Sequence, residues 1–197
     1  MPEILPTLAV GLLFLTALSL LLFEDWRLSI GALALQYVGV FVLVTESWPV
    51  EIAVVKLVAG WMSVAVLGMA LIDYSEENGH GDTLNLSGKL FRFMVAGLVG
   101  LVVVSLLPNV LTWFLGATSR QGLGGAFLLG LGLLHLSLST SPIRIIIGLL
   151  TVIAGFGILF AAVEASILIT TLLAIVNLGI AFVGAYLLSI SSMEIAK

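Results

Sequence analysis

Long apolar runs, separated by short polar stretches, are the main pattern of this chain. Charged and turn-forming residues divide it into apolar runs at residues 5–23, 28–44, 52–72, 90–107, 123–138, 142–163 and 167–190. The last two runs come from one stretch, 143–190, which is interrupted by the charge of Glu164. As a helix that stretch is about 72 Å long, enough for two crossings of a hydrocarbon core of about 30 Å.

Runs of this length predict membrane-spanning helices. A transmembrane helix needs about 20 consecutive apolar residues, whereas a strand of a membrane barrel needs about half as many and alternates polar with apolar positions. The runs here are too long and too uniformly apolar for strands. We therefore expect an all-α protein, a polytopic transmembrane helix bundle of about seven spans in contact with the lipid bilayer.

Composition agrees with this interpretation and excludes several kinds of chemistry. Hydrophobic residues make up 61% of the chain and charged residues 9%, with a mean hydropathy of +1.28, and a soluble domain needs far more surface charge. The chain has no cysteine, which excludes disulfides, thiolate metal sites and cysteine-ligated iron–sulfur clusters. It has no basic run, nucleophile–base set, P-loop or zinc motif. We expect no nucleic-acid partner, no cofactor or metal site, and no catalysis by the chain on its own.

Basic residues predict the orientation of the spans. If the N-terminus lies outside, the cytoplasmic side receives Arg27, Lys89, Arg92, Arg144 and Lys197, whereas the other side receives Arg120. Because basic residues favour the cytoplasmic side, we expect an external N-terminus and a cytoplasmic C-terminus in a prokaryotic cytoplasmic membrane. The first run lacks a positive flank and a cleavage site, and we interpret it as a retained helix.

Two short motifs suggest an internal repeat. Arg27-Leu-Ser-Ile-Gly31 opens the second span, and Arg144-Ile-Ile-Ile-Gly148 opens the sixth. The spacing predicts a parallel repeat of three helices, spans 1–3 and 5–7, around a fourth. It divides a single membrane domain into a first unit at 1–72, a cytoplasmic loop at 73–89, a fourth helix with its connection at 90–122, and a second unit at 123–197. Residues 110–122 either lie at the membrane interface or continue the fourth helix.

Small residues are frequent in the later spans, with glycines at 97, 100, 124, 125, 130, 132, 148, 155, 157, 179 and 184. Glycine lets two helix backbones approach closely, and close packing is what holds helices together in lipid. Two interpretations stay open: the glycines pack helices of this chain against each other, or some of them form a surface that docks a partner subunit.

Lys56 is the most unusual polar residue, because it lies inside the third span. A charged side chain in hydrocarbon is costly and indicates function by default. The ordinary alternative is that its long side chain reaches back to the interface near Trp48. In the functional interpretation, Lys56 faces the protein interior and either titrates or pairs with a carboxylate of another chain.

His135, Gln36 and Asn177 are the other candidate residues for an ion path inside the spans. Each has an ordinary alternative: His135 is a packed histidine bonded to a neighbouring helix, and Gln36 and Asn177 are interhelical hydrogen-bonding groups. Proton relays through membranes usually include carboxylates, and none lies near the centre of a span.

The chain resembles one family in two regions. Trp26-Arg-Leu-Ser-Ile-Gly31, Ala-Leu-Ala-Leu-Gln36 and the span with Lys56 resemble the N-terminal part of component E of hydrogenase-4-type complexes. Gly130-Leu-Gly-Leu-Leu-His-Leu-Ser137 and Ser141-Pro-Ile-Arg144 resemble the tail of that subunit, which is similar to chain K of NADH–quinone oxidoreductase. The resemblance implies a membrane subunit of an oxidoreductase complex that moves protons.

The chain departs from the family where the proton pathway is concerned. Chain-K-like subunits carry carboxylates in their second and third helices, whereas the matching helices here contain Thr151 and Asn177. The resemblance then implies a non-catalytic scaffold that holds other membrane subunits of a respiratory or hydrogenase-type proton- or ion-translocating complex and assists ion movement at most. The alternative is a self-contained transporter or channel for an ion or small solute.

Overall fold

The computed structural model describes residues 4–23, 25–78, 86–114, 116–164 and 166–195, with the backbone alone at 73–78, 86 and 191–195. This part of the chain forms seven α-helices that are long and apolar enough to cross a membrane. They are α1 (Ile4–Leu22), α2 (Trp26–Val44), α3 (Val50–Asn78), α4 (Leu86–Trp113), α5 (Ser119–Leu138), α6 (Pro142–Val163) and α7 (Ile167–Ile195). The expected all-α bundle of about seven spans is confirmed.

The helix bounds follow the apolar runs, with two differences. Helix α3 continues to Asn78, so it extends into the polar stretch that the sequence assigned to a loop. Residues 110–122 are neither one interfacial segment nor one continuing helix. Helix α4 ends at Trp113, Gly116 turns the chain with a φ of 114°, and α5 begins at Ser119. A positive φ is readily adopted by glycine alone, which explains the break at this point.

The first three and last three helices face each other in two rows. Helix α1 packs against α5, α2 against α6 and α3 against α7. Helix α4 packs against α5 and, less extensively, against α1, so it lies at one end of the rows instead of between them. The expected three-helix units are therefore in direct contact, and the fourth helix is peripheral.

Glycines line the contact between α5 and α6. A Cβ placed on Gly125 would lie 3.1 Å from the carbonyl oxygen of Gly155, and one placed on Gly132 would lie 3.3 Å from that of Gly148. The two pairs are separated by seven residues along each helix, about two turns. The helices therefore approach backbone to backbone over this length, as small-residue interfaces in membranes do.

Burial differs sharply between helices. In the most apolar window of each span, 61% of α6 is buried inside the chain but only 11% of α4. Helix α6 thus forms the centre of the bundle, whereas few residues of α4 are buried by the rest of the described chain. Helix α4 also contains Pro108, which cannot donate a backbone hydrogen bond within the helix.

Helix α1 ends against two arginines. Arg92 of α4 donates to the carbonyl of Leu21 at 3.2 Å, and Arg144 of α6 donates to the carbonyls of Leu20 and Leu21 at 3.4 and 3.2 Å. The last carbonyls of a helix lack partners in their own helix, so these guanidinium groups complete the end of α1. We call this side of the bundle the Arg144 end, and the opposite side, where α2 meets α3, the Glu46 end.

Candidate functional site

Polar side chains of α2, α3 and α7 meet in the interior of the bundle. The Tyr37 hydroxyl donates to Oδ1 of Asn177 at 2.9 Å, and Nδ2 of Asn177 donates to Oγ of Ser63 at 3.2 Å. The Ser63 hydroxyl in turn donates to the carbonyl of Ala59 at 2.9 Å. All three side chains are buried. This chain of hydrogen bonds joins three helices, and it uses the main hydrogen-bonding atoms of each side chain.

A second hydrogen bond joins α2 to α6, and it starts at Gln36, the residue before Tyr37. Gln36 Nε2 donates to Oγ1 of Thr151 over a long 3.4 Å, and the Thr151 hydroxyl donates to the carbonyl of Ile147 at 2.9 Å. Gln36 is fully buried, and its Oε1 has no partner among the described atoms. We call Gln36, Tyr37, Ser63, Thr151 and Asn177, together with Lys56, the central polar cluster.

Lys56 enters this cluster from α3. Its Nζ donates to the carbonyl of Gly157 in α6 at 2.9 Å and lies 5.5 Å from the centre of the Trp48 ring. A Cβ on Gly157 would overlap Nζ, so the ammonium occupies space that a larger residue would fill. Six residues separate Lys56 from the start of α3 and Gly157 from the end of α6, about 9 Å in each case. Lys56 therefore lies about 9 Å inside the bundle from the Glu46 end, and its ammonium bonds to the backbone of α6.

A small cavity lies between α2, α3, α6 and α7 beside the ammonium. Its volume is about 30 Å³, and its polar lining comes from Lys56, Tyr37 and Asn177. The rest of the lining is apolar, from Val40, Ala59, Ile153, Ala154, Leu173 and Ala174. A volume of this size accommodates about one water molecule. It is far below the several hundred Å³ typical of sites that bind small organic molecules.

The four residues predicted from the sequence do not form one site. Lys56 and Asn177 line the same cavity, and Gln36 precedes Tyr37 of that cavity but bonds to α6. His135 lies apart, near the Arg144 end, where its ring bonds to the backbone of Arg144 and its Nε2 has no partner among the described atoms. The ring also packs on Gly148.

A polar cluster at the Glu46 end was not predicted. Glu46, after α2, pairs with Arg120 of α5 at 2.9 Å and accepts a hydrogen bond from Thr118 at 2.6 Å. Gln121 Nε2 donates to the carbonyl of Leu43 at 2.9 Å and to Oγ of Ser47 at 2.8 Å. These contacts fasten the end of α2 to the start of α5.

Part of that cluster does have a signal in the sequence. Thr118 and Gln121 form a capping box, in which each side chain accepts from the other residue's backbone N–H. The pattern Ser/Thr-x-x-Glu/Gln before an apolar run predicts such a box. Tyr37 and Ser63 have no comparable signal, because an isolated hydroxyl in an apolar run does not indicate which helix it will face.

The chemistry available to the central polar cluster is limited. It contains one cation and neutral hydrogen-bonding groups, and no carboxylate pairs with Lys56 among the described side chains. In the same part of the chain no group of three His, Asp or Glu converges to hold a metal ion. The cluster can join helices and can hold one small polar occupant. Comparisons of the chain with protein-family models, curated proteins and solved structures give no match.

Proposed function

We propose that this integral membrane chain is a non-catalytic scaffold subunit, which holds other membrane subunits of a proton- or ion-translocating complex together. The observation that carries the proposal is the use made of the polar groups inside the spans. Tyr37, Asn177 and Ser63 bond to one another across helices, and the cavity beside them accommodates about one water. Such groups join helices, and a cavity of this size is far too small to hold an organic solute.

Glycines that face no other helix in the described part of the chain support partner docking. A Cβ on Gly11, Gly31, Gly97 or Gly179 would meet no atom within 4 Å. Glycine inside a helix costs about 1 kcal/mol relative to alanine, and contact with lipid returns none of that cost. A partner helix does offset it, because glycine lets the two backbones approach closely and pack, which favours helix association in membranes.

Helix α4 is the best candidate for a docking surface. Only 11% of its most apolar window is buried by the rest of the chain, and Gly97 lies open on it. Beside Gly97 runs an apolar groove of about 480 Å³, which Phe14, Gly100, Leu101 and Phe127 also line. A helix held mainly through one neighbour gains stability from a partner on its open side.

The resemblance to hydrogenase-4 component E and chain K of NADH–quinone oxidoreductase favours a respiratory or hydrogenase-type complex. In this proposal the N-terminus is external, the C-terminus and the Arg144 end are cytoplasmic, and the membrane is that of a prokaryotic cell. Lys56 has no acidic partner in the described spans, so direct proton conduction through this chain is not part of the proposal.

One observation favours a second candidate, a self-contained ion or small-solute transporter or channel. Lys56 and Asn177 of opposite rows line one cavity between four helices, which is where a transport site of a repeat protein is expected. The cavity would have to open well beyond the size of one water for that function. Gln36 and His135 would also have to move to reach it.

Extraction of the tagged chain from its native membrane in mild detergent, followed by mass spectrometry, distinguishes the two. We expect defined membrane proteins to co-purify, and Gly97→Leu to reduce their recovery without changing the thermal stability of the isolated chain. Val102→Leu, on another side of α4, is the matched control and should leave recovery unchanged. A monodisperse chain that moves a solute in liposomes would instead support the transporter.

A further inference from the structure

Lys56 places a positive charge in the interior of a four-helix group without an acidic neighbour. Its Nζ bonds to the Gly157 carbonyl and faces the cavity lined by residues of α2, α3, α6 and α7. Among the described side chains no carboxylate lies within ion-pair distance of it. A charge held in low dielectric is stable only when something compensates it, and a carbonyl dipole and an aromatic ring do so in part.

The groups around the cavity have more donors to offer than acceptors. An ammonium carries three N–H donors, and one of them is used by Gly157. The Asn177 amide nitrogen carries two, and one is used by Ser63. An occupant that only accepts hydrogen bonds suits this set.

Size and charge together select the occupant. The cavity of about 30 Å³ accommodates one particle close to a water molecule in size, and a halide ion is only slightly larger than water. Water matches the size but brings no charge, whereas an anion forms charge-assisted hydrogen bonds with an ammonium. We propose that the cavity beside Lys56 binds one small monovalent inorganic anion of about the size of chloride, as the counter-ion of the lysine.

The surroundings permit such an ion to reach the site. Lys56 is only partly buried, and it lies about 9 Å below the start of α3 at the Glu46 end. Of the acidic side chains described at that end, Glu46 is neutralised by Arg120, whereas Glu51 at the start of α3 and Glu164 after α6 are exposed. The small side chains Ala59, Ala154 and Ala174 line the cavity and leave its space open.

Thermal unfolding of the purified full-length chain tests the site. In this experiment chloride or bromide replaces gluconate in the buffer at constant ionic strength. We expect the melting temperature to rise as the site fills, by about 3 °C at ten times the half-saturating halide concentration. Lys56→Met should abolish the rise, and Gly157→Ala should weaken it because the added methyl displaces Nζ. Lys89→Met, which removes a cation at the start of α4, should leave the rise intact.

A direct observation keeps the proposal testable if Lys56→Met does not fold. Crystals of the unaltered chain grown with bromide should show one anomalous scattering peak within hydrogen-bonding distance of Nζ. A water molecule in the cavity without a bromide peak, or a halide-dependent rise that persists in Lys56→Met, would overturn the proposal. Neither measurement depends on partner subunits, so the result is independent of the scaffold function.

Discussion

Gly125 and Gly155 face each other so closely that each occupies the space of the other's missing side chain. A Cβ on Gly155 would lie 2.7 Å from the carbonyl oxygen of Gly125, and one on Gly125 would lie 3.1 Å from that of Gly155. Backbone, unlike the tip of a flexible side chain, cannot give way. Two turns further along, a Cβ on Gly132 would lie 3.3 Å from the carbonyl oxygen of Gly148, so a larger residue at Gly132 would also meet backbone.

Substitution of Gly155 by alanine should therefore lower the free energy of unfolding by about 1–3 kcal/mol, the usual cost of overpacking. Gly179→Ala is the control, because a Cβ there meets nothing and alanine favours helix. The control should be neutral or stabilising by up to about 1 kcal/mol. Unfolding in a mixed detergent series measures both. Equal stability of the two variants would contradict the close contact.

Tyr37→Phe should test the bond that joins the two helix rows. The change removes the hydroxyl donor and leaves Oδ1 of Asn177 buried without its partner. Interhelical hydrogen bonds in membranes contribute about 0.6 kcal/mol on average and at most about 1.7. A double-mutant cycle with Asn177→Leu should give a coupling energy in this range. Tyr186→Phe, on an exposed tyrosine of α7, should cost nothing measurable.

Glu46→Gln should weaken the attachment of α2 to α5. It removes the charge that pairs with Arg120 but keeps an oxygen that can accept from Thr118. The Arg120 side chain is 35% exposed and that of Glu46 11%, so solvent screens the pair and we expect a loss of about 1 kcal/mol or less. Glu46→Ala should cost more, since Thr118 then loses its acceptor as well. Identical stability of the two variants would mean that the hydrogen bond contributes nothing.

The orientation can be tested with cysteines, because the chain contains none of its own. Thr140 and Glu164 are exposed between helices at opposite ends of α6. From the distribution of basic residues we expect an impermeant maleimide to label Glu164→Cys on intact cells and Thr140→Cys only after lysis. The reverse result would place the N-terminus inside.

The number and place of the helices could be predicted from the sequence because lipid imposes one rule on every span. Each span must form its backbone hydrogen bonds within a helix and present apolar side chains to the lipid. An apolar run such as Pro142–Val163 therefore matches α6 at both bounds. The bounds were less certain where polar residues continue a helix beyond the core, as α3 does to Asn78.

The contacts between side chains of different helices could not be predicted, because they depend on how helices that are far apart in the sequence pack together. Lys56 could be identified as unusual by its charge alone, but its partner Gly157 is another small residue among many. Tyr37 and Asn177 are separated by 140 residues. Gln36 bonds to α6, as Lys56 does, but to Thr151 and outside the cavity, whereas His135 bonds to the backbone of Arg144 near the other end of the bundle.

The contact between Arg144 and the end of α1 has a consequence for the synthesis of the chain. The guanidinium that bonds to the Leu21 carbonyl lies 123 residues further along, so it does not yet exist when α1 leaves the ribosome. Arg92 is synthesised earlier, but of these two carbonyls it bonds only to that of Leu21. The carbonyl of Leu20 gains its arginine partner only when α6 has been made. The end of α1 is thus completed only after the start of α6 has been made. A nascent chain halted before Arg144 should expose this end of α1 to proteolysis.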